Sequence, residues 1–504
     1  MGRMARWAAT WADHTFALDL RSLACLRVAL GLIVCADAVL RTRDATLMLA
    51  PDGMFPPPLV RSFFGDRWAW SLGFFVDATW WGMLLLALEG LAGIALAAGL
   101  GTRPASCLAW VAVVSVLRRT APATNAGDEW LACLLFWGMF LPWGEVWSID
   151  DRRRRRHGAS LRVDAAPATW SLAGVALVLQ IAAVYLGAAI SKWNPTWLSG
   201  DAVASALSIH DHGTVWGDAL TRQTAACRVL TWAVLGLESA APFALVATGR
   251  PTVRIALLAM FLVFHAATAV LMSLGLFAAV GAAAWLALIP TACWDRWLHG
   301  PVTPILRARA ERTPRGGWLE TWLVAAALAV AVAAFLHAAT PWRASPMPSP
   351  LAAAVRATCL VQDWDMFGEV RRQRQWVYGR GTLADGRTVD VLRDGRPLED
   401  TLPRGGFTTL PHHRWHKLFW ELPEPDRRRF APSVAAALAH DWNRRHTPAD
   451  RLVALDIVAV RLFDEAGDGA GQETRQELFL ATWPPRDATG RGNLDRWLRD
   501  QVGE

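Results

Sequence analysis

Apolar residues fall into long runs separated by short polar loops, and most runs approach the length of a membrane-crossing helix. A helix needs roughly 20 apolar residues to span the hydrocarbon core of a bilayer. Because one run is short and two later runs nearly touch, the pattern predicts eight or nine transmembrane helices. The predicted spans are 22–40, 79–100, 104–117, 129–148, 169–191, 228–247, 252–272, 274–291 and 318–340.

The pattern changes after residue 340, where alternating and mixed positions replace the long runs. Residues 341–350 are Pro-rich, which is typical of a linker. Residues 374–395 contain two alternating stretches around Asp385-Gly386, a residue pair that favours a tight hairpin turn. Two short amphipathic helices and two strands are predicted further along, at 410–421, 431–446, 452–463 and 476–483.

These patterns predict a fold in two parts. Residues 1–340 are expected to form an all-α polytopic membrane body of eight or nine transmembrane helices, and residues 341–504 a small α+β extramembrane domain. The composition agrees, because 53% of the residues are hydrophobic and many of the 29 tryptophans stand at the ends of apolar runs, as in aromatic belts.

Arginine-rich loops indicate the orientation. If the N-terminus with Arg3 and Arg6 is cytoplasmic, the positive-inside rule is satisfied, and Lys192 and the C-terminal domain lie on the outer face. The Arg-heavy, Ala-rich composition favours a bacterial source, and therefore the inner membrane. The loops that carry the charge contain Arg103, Arg152 to Arg156, Arg250, Arg254, Arg307, Arg309, Arg312 and Arg315.

The net charge of +7 does not indicate nucleic-acid binding, because it is spread over short loops and the Arg152 to Arg156 run follows an apolar helix. The seven cysteines contain no CxxC pair, and most lie in apolar runs, where Cys acts as a small hydrophobe. A bridge between Cys359 and Cys227 stays open as an alternative.

Lys192 is the strongest candidate for chemistry. It ends a long apolar run, and only Lys192 and Lys417 among the 51 basic residues are lysines. Arginine is always protonated, whereas a lysine in an apolar pocket can lose its proton and act as a base. The alternative is a snorkelling lysine at a helix end, a role that arginine would fill equally well.

Other ionisable residues within predicted spans leave two interpretations open. His265 lies in the middle of an apolar run, so it either faces a cavity or bonds to a neighbouring helix. Glu238 could pair with a buried cation, and Glu89 favours a structural role. Asn125 and Asp128 precede the fourth span, where helix capping is the ordinary reason for such residues.

Histidines form two short clusters outside the spans. His210-Asp211-His212 resembles a metal pair but has no second cluster at metal spacing, which favours a solvated loop. His412 and His416 are four residues apart and are expected on one helix face at the surface. No metal is predicted, and the chain contains no P-loop, GxSxG, HExxH or strand-linked GxGxxG motif.

Four stretches of the membrane part, in order, resemble the horizontally transferred transmembrane (HTTM) domain family, which includes the vitamin K-dependent gamma-glutamyl carboxylase. Together they cover roughly residues 18–295, and "QDWDMFGEVRRQRQWVYGRGTLADGRTVDV" resembles the aqueous domain of bacterial members. The four stretches are "RSLACLRVALGLIVCADAVLR", "LACLLFWGMFLPWGEVWSIDD", "LQIAAVYLGAAISKWNPTWLSGDAV" and "FHAATAVLMSLGLFAAVGAAAWLALIP".

The resemblance implies a chemistry. In the carboxylase a lysine deprotonates reduced vitamin K, and reaction with O2 then gives a strong base that allows a peptide Glu to take up CO2 inside an apolar pocket. Lys192 matches that lysine, and reduced vitamin K or menaquinone is the implied cofactor. The implied cofactor-binding residues are His265, Asn125, Asp128, Tyr185 and Trp197.

One departure from the carboxylase bears on function. Its quinone-binding Asn-His pair corresponds here to a stretch without histidine, Asn125 to Asp128. The first hypothesis is therefore a reduced-quinone-dependent oxygenase or carboxylase with a peptide or protein substrate at the outer face. The alternative is a non-catalytic quinone- or lipid-binding scaffold whose outer domain recruits a partner. A transporter is disfavoured, because the two halves lack matched Gly/Pro-broken helices.

Overall fold

The structure is a computed structural model that describes residues 11–65, 68–157, 168–208, 210, 212–299, 311–312, 317–369, 374–399, 401–464 and 473–485. Several predicted features lie outside these residues: Arg3, Arg6, Asp211, Arg307, Arg309 and Arg315.

Most of the described chain is helical. The helices of the first half are α1 Leu20–Thr42, α2 Ala45–Met48, α3 Pro57–Phe64, α4 Thr79–Ala98, α5 Thr102–Arg119, α6 Ala126–Gly138, α7 Ile149–Arg156 and α8 Leu172–Lys192. Those of the middle are α9 Pro195–Leu198, α10 Ala202–Ala206, α11 Val215–Thr221, α12 Thr224–Thr248, α13 Pro251–Leu271, α14 Phe277–Leu286 and α15 Thr291–His299. The last four are α16 Trp318–Ala339, α17 Ser349–Thr358, α18 His413–Glu421 and α19 Ala431–Arg445.

Six of the described helices are long and apolar enough to cross a membrane: α1, α4, α8, α12, α13 and α16. The count rises to seven if the pair Phe277–Leu286 and Thr291–Leu298, bent by 82°, forms one broken span. The predicted count of eight or nine is not confirmed.

Three of the nine predicted spans account for the difference from six: 274–291 falls in the bent pair, and two others are not long apolar helices. The run at 104–117 lies in α5, an 18-residue helix that contains three arginines at its ends. The run at 129–148 is mostly apolar, with Glu129 and Glu145 near its ends, but α6 ends at Gly138 and the chain turns through Pro142 before α7 begins. Hydropathy predicted one long helix here because it does not register turn-forming residues.

The membrane body has two distinct ends. At one end, residues near the starts of α1, α8 and α16 form a small sheet of three strands: β1 Leu18–Asp19, β2 Ala168–Trp170 and β3 Glu311–Arg312. Asp150 bonds the backbone of Gly101 and Thr102 at this same end. The other end, where α8 finishes at Lys192, is covered by the C-terminal residues.

The C-terminal part contains one antiparallel sheet of five strands in the order β6-β5-β4-β7-β8. The hairpin predicted around Asp385-Gly386 is confirmed, as are the two later strands and the two amphipathic helices. Their buried side chains share one core with the chain between α1 and α4, including Phe55 and, in α3, Leu59. The strands are β4 Arg374–Leu383, β5 Thr388–Asp390, β6 Arg396–Pro397, β7 Leu452–Asp464 and β8 Glu473–Trp483.

An extended segment, residues 359–368, enters the membrane body after α17. Leu360, Gln362 and Trp364 are buried in it, while the alternate residues Asp363 and Asp365 are exposed, as expected for extended backbone. Non-helical chain at such a position is tolerated only where protein covers it. The division of the chain at residue 340 stays a prediction, and this segment ties the two predicted parts together.

Candidate functional site

Lys192 lies in the last turn of α8 and is buried. Its Nζ is 2.7 Å from Glu238 Oε2 on α12, and the exposed fractions of the two side chains are 3% and 5%. Burying two charges is costly unless they are paired, so each residue explains the position of the other. The pairing resolves the role of Glu238, which the sequence left open, and it excludes a snorkelling lysine that reaches water.

The chain beyond Lys192 folds back over it. Asn194 caps the short helix α9, with Oδ1 accepting from the backbone amides of Thr196 and Trp197. This turn places the Trp197 ring over the ammonium group, with Nζ 5.2 Å from the ring centroid, a distance at which the two attract. The Trp197 indole in turn donates to the carbonyl of Phe367 at 2.8 Å. The lysine is thus enclosed by an acid, an aromatic face and the extended segment.

His265 belongs to a second buried cluster. The Tyr185 hydroxyl on α8 lies 2.8 Å from His265 Nε2 on α13, and the same hydroxyl accepts a 2.7 Å hydrogen bond from the Trp285 indole on α14. Tyr185 is seven residues before Lys192. Two helical turns therefore separate them on one face of α8, about 10 Å along the axis.

Two polar nitrogens in this second cluster are buried without a hydrogen-bond partner among the described residues, His265 Nδ1 and Trp130 Nε1. The two rings are 6.2 Å apart between centroids, and Phe277 packs on both. Buried nitrogens without a partner are uncommon in proteins and call for an explanation such as a bound group.

Gly281 on α14 makes room for the His265 ring. A Cβ atom at this position would overlap three ring atoms of His265. Only glycine allows the imidazole to lie against the backbone of α14, close to Trp285 on the same helix.

Asn125 and Asp128 have structural roles. Asn125 Oδ1 accepts from the amides of Gly127 and Asp128, and Asp128 Oδ2 accepts from the amide of Asn125, which completes a capping box at the start of α6. Their assignment to a cofactor stays a prediction, and the geometry favours the capping alternative that the sequence suggested.

Asp128 also belongs to a buried network of ion pairs that sequence reasoning missed. Arg414 of α18 donates to both carboxylate oxygens of Asp128, at 2.9 and 2.8 Å, and to Asp37 at 2.6 Å. Arg41 bonds both acids from the other side. The spacing of Asp37 and Arg41, four residues apart in an apolar helix, was a usable signal, whereas nothing local singled out Arg414.

In this network the ion pairs change the pKa values more than burial does. Burial by itself would raise the pKa of Asp128, but Arg414 and Arg41 hold that pKa well below its usual range. Burial likewise opposes the charged form of Arg414, and the carboxylates of Asp128 and Asp37 raise its pKa above the ordinary value. Both groups are therefore charged at neutral pH, and the network fastens α18 to the membrane body.

The two histidine clusters meet in the structure. The His212 and His416 rings lie 4.9 Å apart in an edge-to-face arrangement, and burial lowers the pKa of His212 to about 4, with Lys417 adding to the effect. His412 is the N-cap of α18 and pairs with Asp44, while His416, one turn further on, is buried, so the surface position predicted for these histidines is wrong for His416. Among the described residues no three His, Cys, Asp or Glu side chains are placed to hold a metal ion.

Glu89 is fully buried within α4, and neither carboxylate oxygen has a hydrogen-bond partner among the described residues. The seven cysteines are free thiols, so the bridge between Cys227 and Cys359 is not formed.

A comparison with known protein families gives one match. A family model described as an HTTM domain matches residues 16–294, more than half of the chain. The matched region contains Lys192, Glu238, Tyr185 and His265, and it ends before the C-terminal sheet. No curated protein and no solved structure matches the chain.

Proposed function

The chain is a membrane protein that belongs to the HTTM domain family, and from this premise we propose that it is a membrane enzyme that uses Lys192 as a base on a reduced quinone. The activity proposed is that of an oxygenase or carboxylase. The observation that carries the proposal is the ion pair of Lys192 and Glu238, enclosed under Trp197 at the end of an apolar helix.

The pair is suited to proton transfer. If Glu238 takes a proton from the Lys192 ammonium, both groups become neutral and no separated charge remains in the apolar surroundings. The neutral amine can then accept a proton from an acidic hydroxyl. Arginine in place of Lys192 would keep the charge but would not release a proton, because its guanidinium stays protonated.

The residues near His265 suit the proposed cofactor. A reduced quinone is an aromatic ring with two hydroxyl groups, and when bound it would supply the electrons that O2 takes up as the ring is oxidised to the epoxide. The unpartnered His265 Nδ1 and Trp130 Nε1 could bond its oxygens, while Phe277 supplies an apolar wall. Tyr185 fixes the His265 ring through Nε2. Reduced vitamin K and menaquinone both have the required ring.

We place the protein in a bacterial inner membrane with a cytoplasmic N-terminus, which puts Lys192 and the C-terminal sheet on the outer side. The basis for this orientation is the arginine content of the loops at the opposite end. A peptide or protein acceptor would then reach the site from outside the cell.

The second candidate function is a non-catalytic quinone- or lipid-binding scaffold whose outer part recruits a partner. It is favoured by the closed state of the site: Lys192 is already paired, and Asn125 and Asp128 are engaged in capping. The two candidates differ in whether Lys192 does chemistry.

The deciding experiment uses the purified full chain in lipid nanodiscs, with chemically reduced menaquinone or vitamin K and O2, and measures quinone epoxide. We expect epoxide from the wild type and at least a hundredfold less from Lys192→Arg and Lys192→Ala. Lys417→Arg is the matched control, because Lys417 is the chain's second lysine and pairs with Glu421 on α18, not with Glu238. Quinone binding without epoxide in the wild type would overturn the enzyme proposal in favour of the scaffold.

A further inference from the structure

A large open cavity lies at the end of the membrane body opposite to Lys192. Its volume is about 660 Å³. Walls come from the first turns of α5, α8 and α16 and from residues 140–145. Because the cavity touches the start of α8 and Lys192 ends that helix, about 30 Å of helix separates it from the candidate site. Nothing about this cavity depends on quinone chemistry.

The cavity lies at the depth where a membrane meets water. Trp318 and Trp322, on the first two turns of α16, are exposed on the outside of the helix bundle. Exposed tryptophans at a helix end are typical of the headgroup region of a bilayer. Further along α16, Val324, Ala327 and Ala331 are buried, so the helix is packed against its neighbours beyond the cavity.

The walls are apolar, and the charged groups form two pairs. Phe140, Leu141, Leu172 and Val324 line the apolar part, which suits a ligand with a hydrocarbon portion. Arg103 donates two hydrogen bonds from Nη2 to the carboxylate of Glu320, at 2.7 and 2.8 Å.

The second pair is Arg154 and Glu145, whose closest charged atoms are 3.7 Å apart. Both arginines are substantially exposed, by 57% and 42% of their side chains. Arg154 also donates from Nη2 to the Gly144 carbonyl at 2.8 Å, and the N–H groups that remain on each guanidinium can reach a ligand. Asp150, the third acid on the wall, is already used, since it accepts from the Gly101 and Thr102 amides at the start of α5.

This pattern of charge selects the ligand. Of the described residues that line the cavity, two are arginines and three are acids. Because Asp150 is already bonded at the start of α5, two arginines and two glutamates remain for a ligand, and a ligand with one charge sign would meet two unfavourable groups. A molecule with a phosphate and an ammonium group can place the phosphate on Arg103 or Arg154 and the ammonium on Glu320 or Glu145. The apolar wall then receives the start of an acyl chain.

We propose that the cavity binds a zwitterionic aminophospholipid, with a primary ammonium group, between α16 and the rest of the membrane body. A primary ammonium donates three hydrogen bonds, whereas the quaternary ammonium of a choline lipid donates none. The site therefore prefers phosphatidylethanolamine to phosphatidylcholine. An anionic lipid such as phosphatidylglycerol offers no cation to the two glutamates. It therefore also binds less tightly than phosphatidylethanolamine.

The test is native mass spectrometry of the full chain released from detergent, with equal amounts of the three lipids competing. We expect phosphatidylethanolamine to be retained at least fivefold over the other two. Glu320→Gln and Arg103→Gln should each reduce that preference to less than twofold. Arg152→Gln is the matched control, because Arg152 is exposed on α7 and does not line the cavity.

A second variant keeps the test informative if a charge change alters folding. Thr321→Trp would fill the cavity from α16, and we expect it to remove the retained lipid while the protein keeps its unfolding temperature. Equal retention of the three lipids by the wild type, or a preference that survives both Glu320→Gln and Thr321→Trp, would overturn the proposal.

Discussion

Gln180 and Gln362 exchange two side-chain hydrogen bonds inside the membrane body, at 3.0 and 2.8 Å. Gln180 lies near the middle of α8, twelve residues before Lys192, and Gln362 belongs to the extended segment. Trp137 of α6 and Trp364 add indole donors to the same pair of amides. A polar residue in the middle of a membrane helix is thereby satisfied by chain from the C-terminal half.

We expect Gln362→Ala to destabilise the protein by about 1–3 kcal/mol, because it leaves the Gln180 amide buried without its partner. The double variant Gln180→Leu with Gln362→Leu should recover most of the loss, since no unpaired amide remains. Thermal unfolding in one detergent measures both. If the double variant were as unstable as the single one, the amide pair would not be the reason for the loss.

Asp128→Asn should destabilise the protein by about 3–5 kcal/mol at neutral pH, because it leaves Arg414 and Arg41 with one buried acid between them. The pKa of Asp128 is held below its usual range in the folded state. Its contribution is therefore complete above about pH 4, the ordinary pKa of an aspartate, and is lost as the pH falls through the lower folded value.

The measurement for Asp128 is unfolding of wild type and variant from pH 7 to pH 2.5. The two stabilities should converge toward the acid end. Asp394→Asn is the control, since Asp394 is an exposed residue in a turn and asparagine tolerates the same left-handed backbone. A constant difference across the pH range would contradict the assignment of the stabilising effect to the Asp128 charge.

We predict that the charge of Glu129, the next residue, destabilises the folded protein, whereas the charge of Asp128 stabilises it. Burial raises the pKa of Glu129 to about 7, although Lys417 opposes the shift. An acid with a raised folded pKa binds its proton more tightly when folded, so stability falls as pH rises from the ordinary value of about 4.3 to 7.

Glu129→Gln removes this dependence. The variant should gain stability relative to the wild type over that pH window, then keep a constant advantage above pH 7. Denaturation at pH 4.5, 6 and 8 measures the trend, with the exposed Glu399→Gln as control. If Glu129→Gln were more stable than the wild type by the same amount at all three pH values, the charge of Glu129 would not be what destabilises the folded protein.

Gly281→Ala should displace the His265 ring and disrupt its hydrogen bond to Tyr185, because the added methyl group overlaps the imidazole. We expect quinone binding, followed by quenching of tryptophan fluorescence, to weaken at least tenfold. Gly236→Ala on α12 is the matched control, since a Cβ there meets no atom within 4 Å. Unchanged binding in Gly281→Ala would separate His265 from the quinone site.

The sequence singled out Lys192, because residue choice at a helix end is a local signal, and the catalytic role of Lys192 stays a prediction. The sequence also predicted the Asp385-Gly386 hairpin, whose turn chemistry is contained in adjacent residues. The sequence overcounted the spans because residues 129–148 are mostly apolar, and hydropathy does not show that the chain turns at Pro142.

Long-range pairs were beyond sequence reasoning. Glu238 follows Lys192 by 46 residues and Arg414 follows Asp128 by 286, and no periodicity relates residues so far apart. The sequence suggested both helix capping and cofactor binding for Asn125 and Asp128. Only the hydrogen-bond geometry of the structure favours capping. The sequence did not predict that the extended segment enters the membrane body, because a short stretch of buried extended chain resembles a linker in composition.

The extended segment also has a consequence for biosynthesis. Gln362 lies 182 residues after its partner Gln180, so at a translation rate of about 5–20 residues per second the ribosome needs roughly 10–35 s to supply it. During that interval α8 is already in the membrane with its amide unmatched. The newly inserted helices therefore form an incomplete bundle, and a quality-control protease or chaperone would meet that bundle before the last segment closes it.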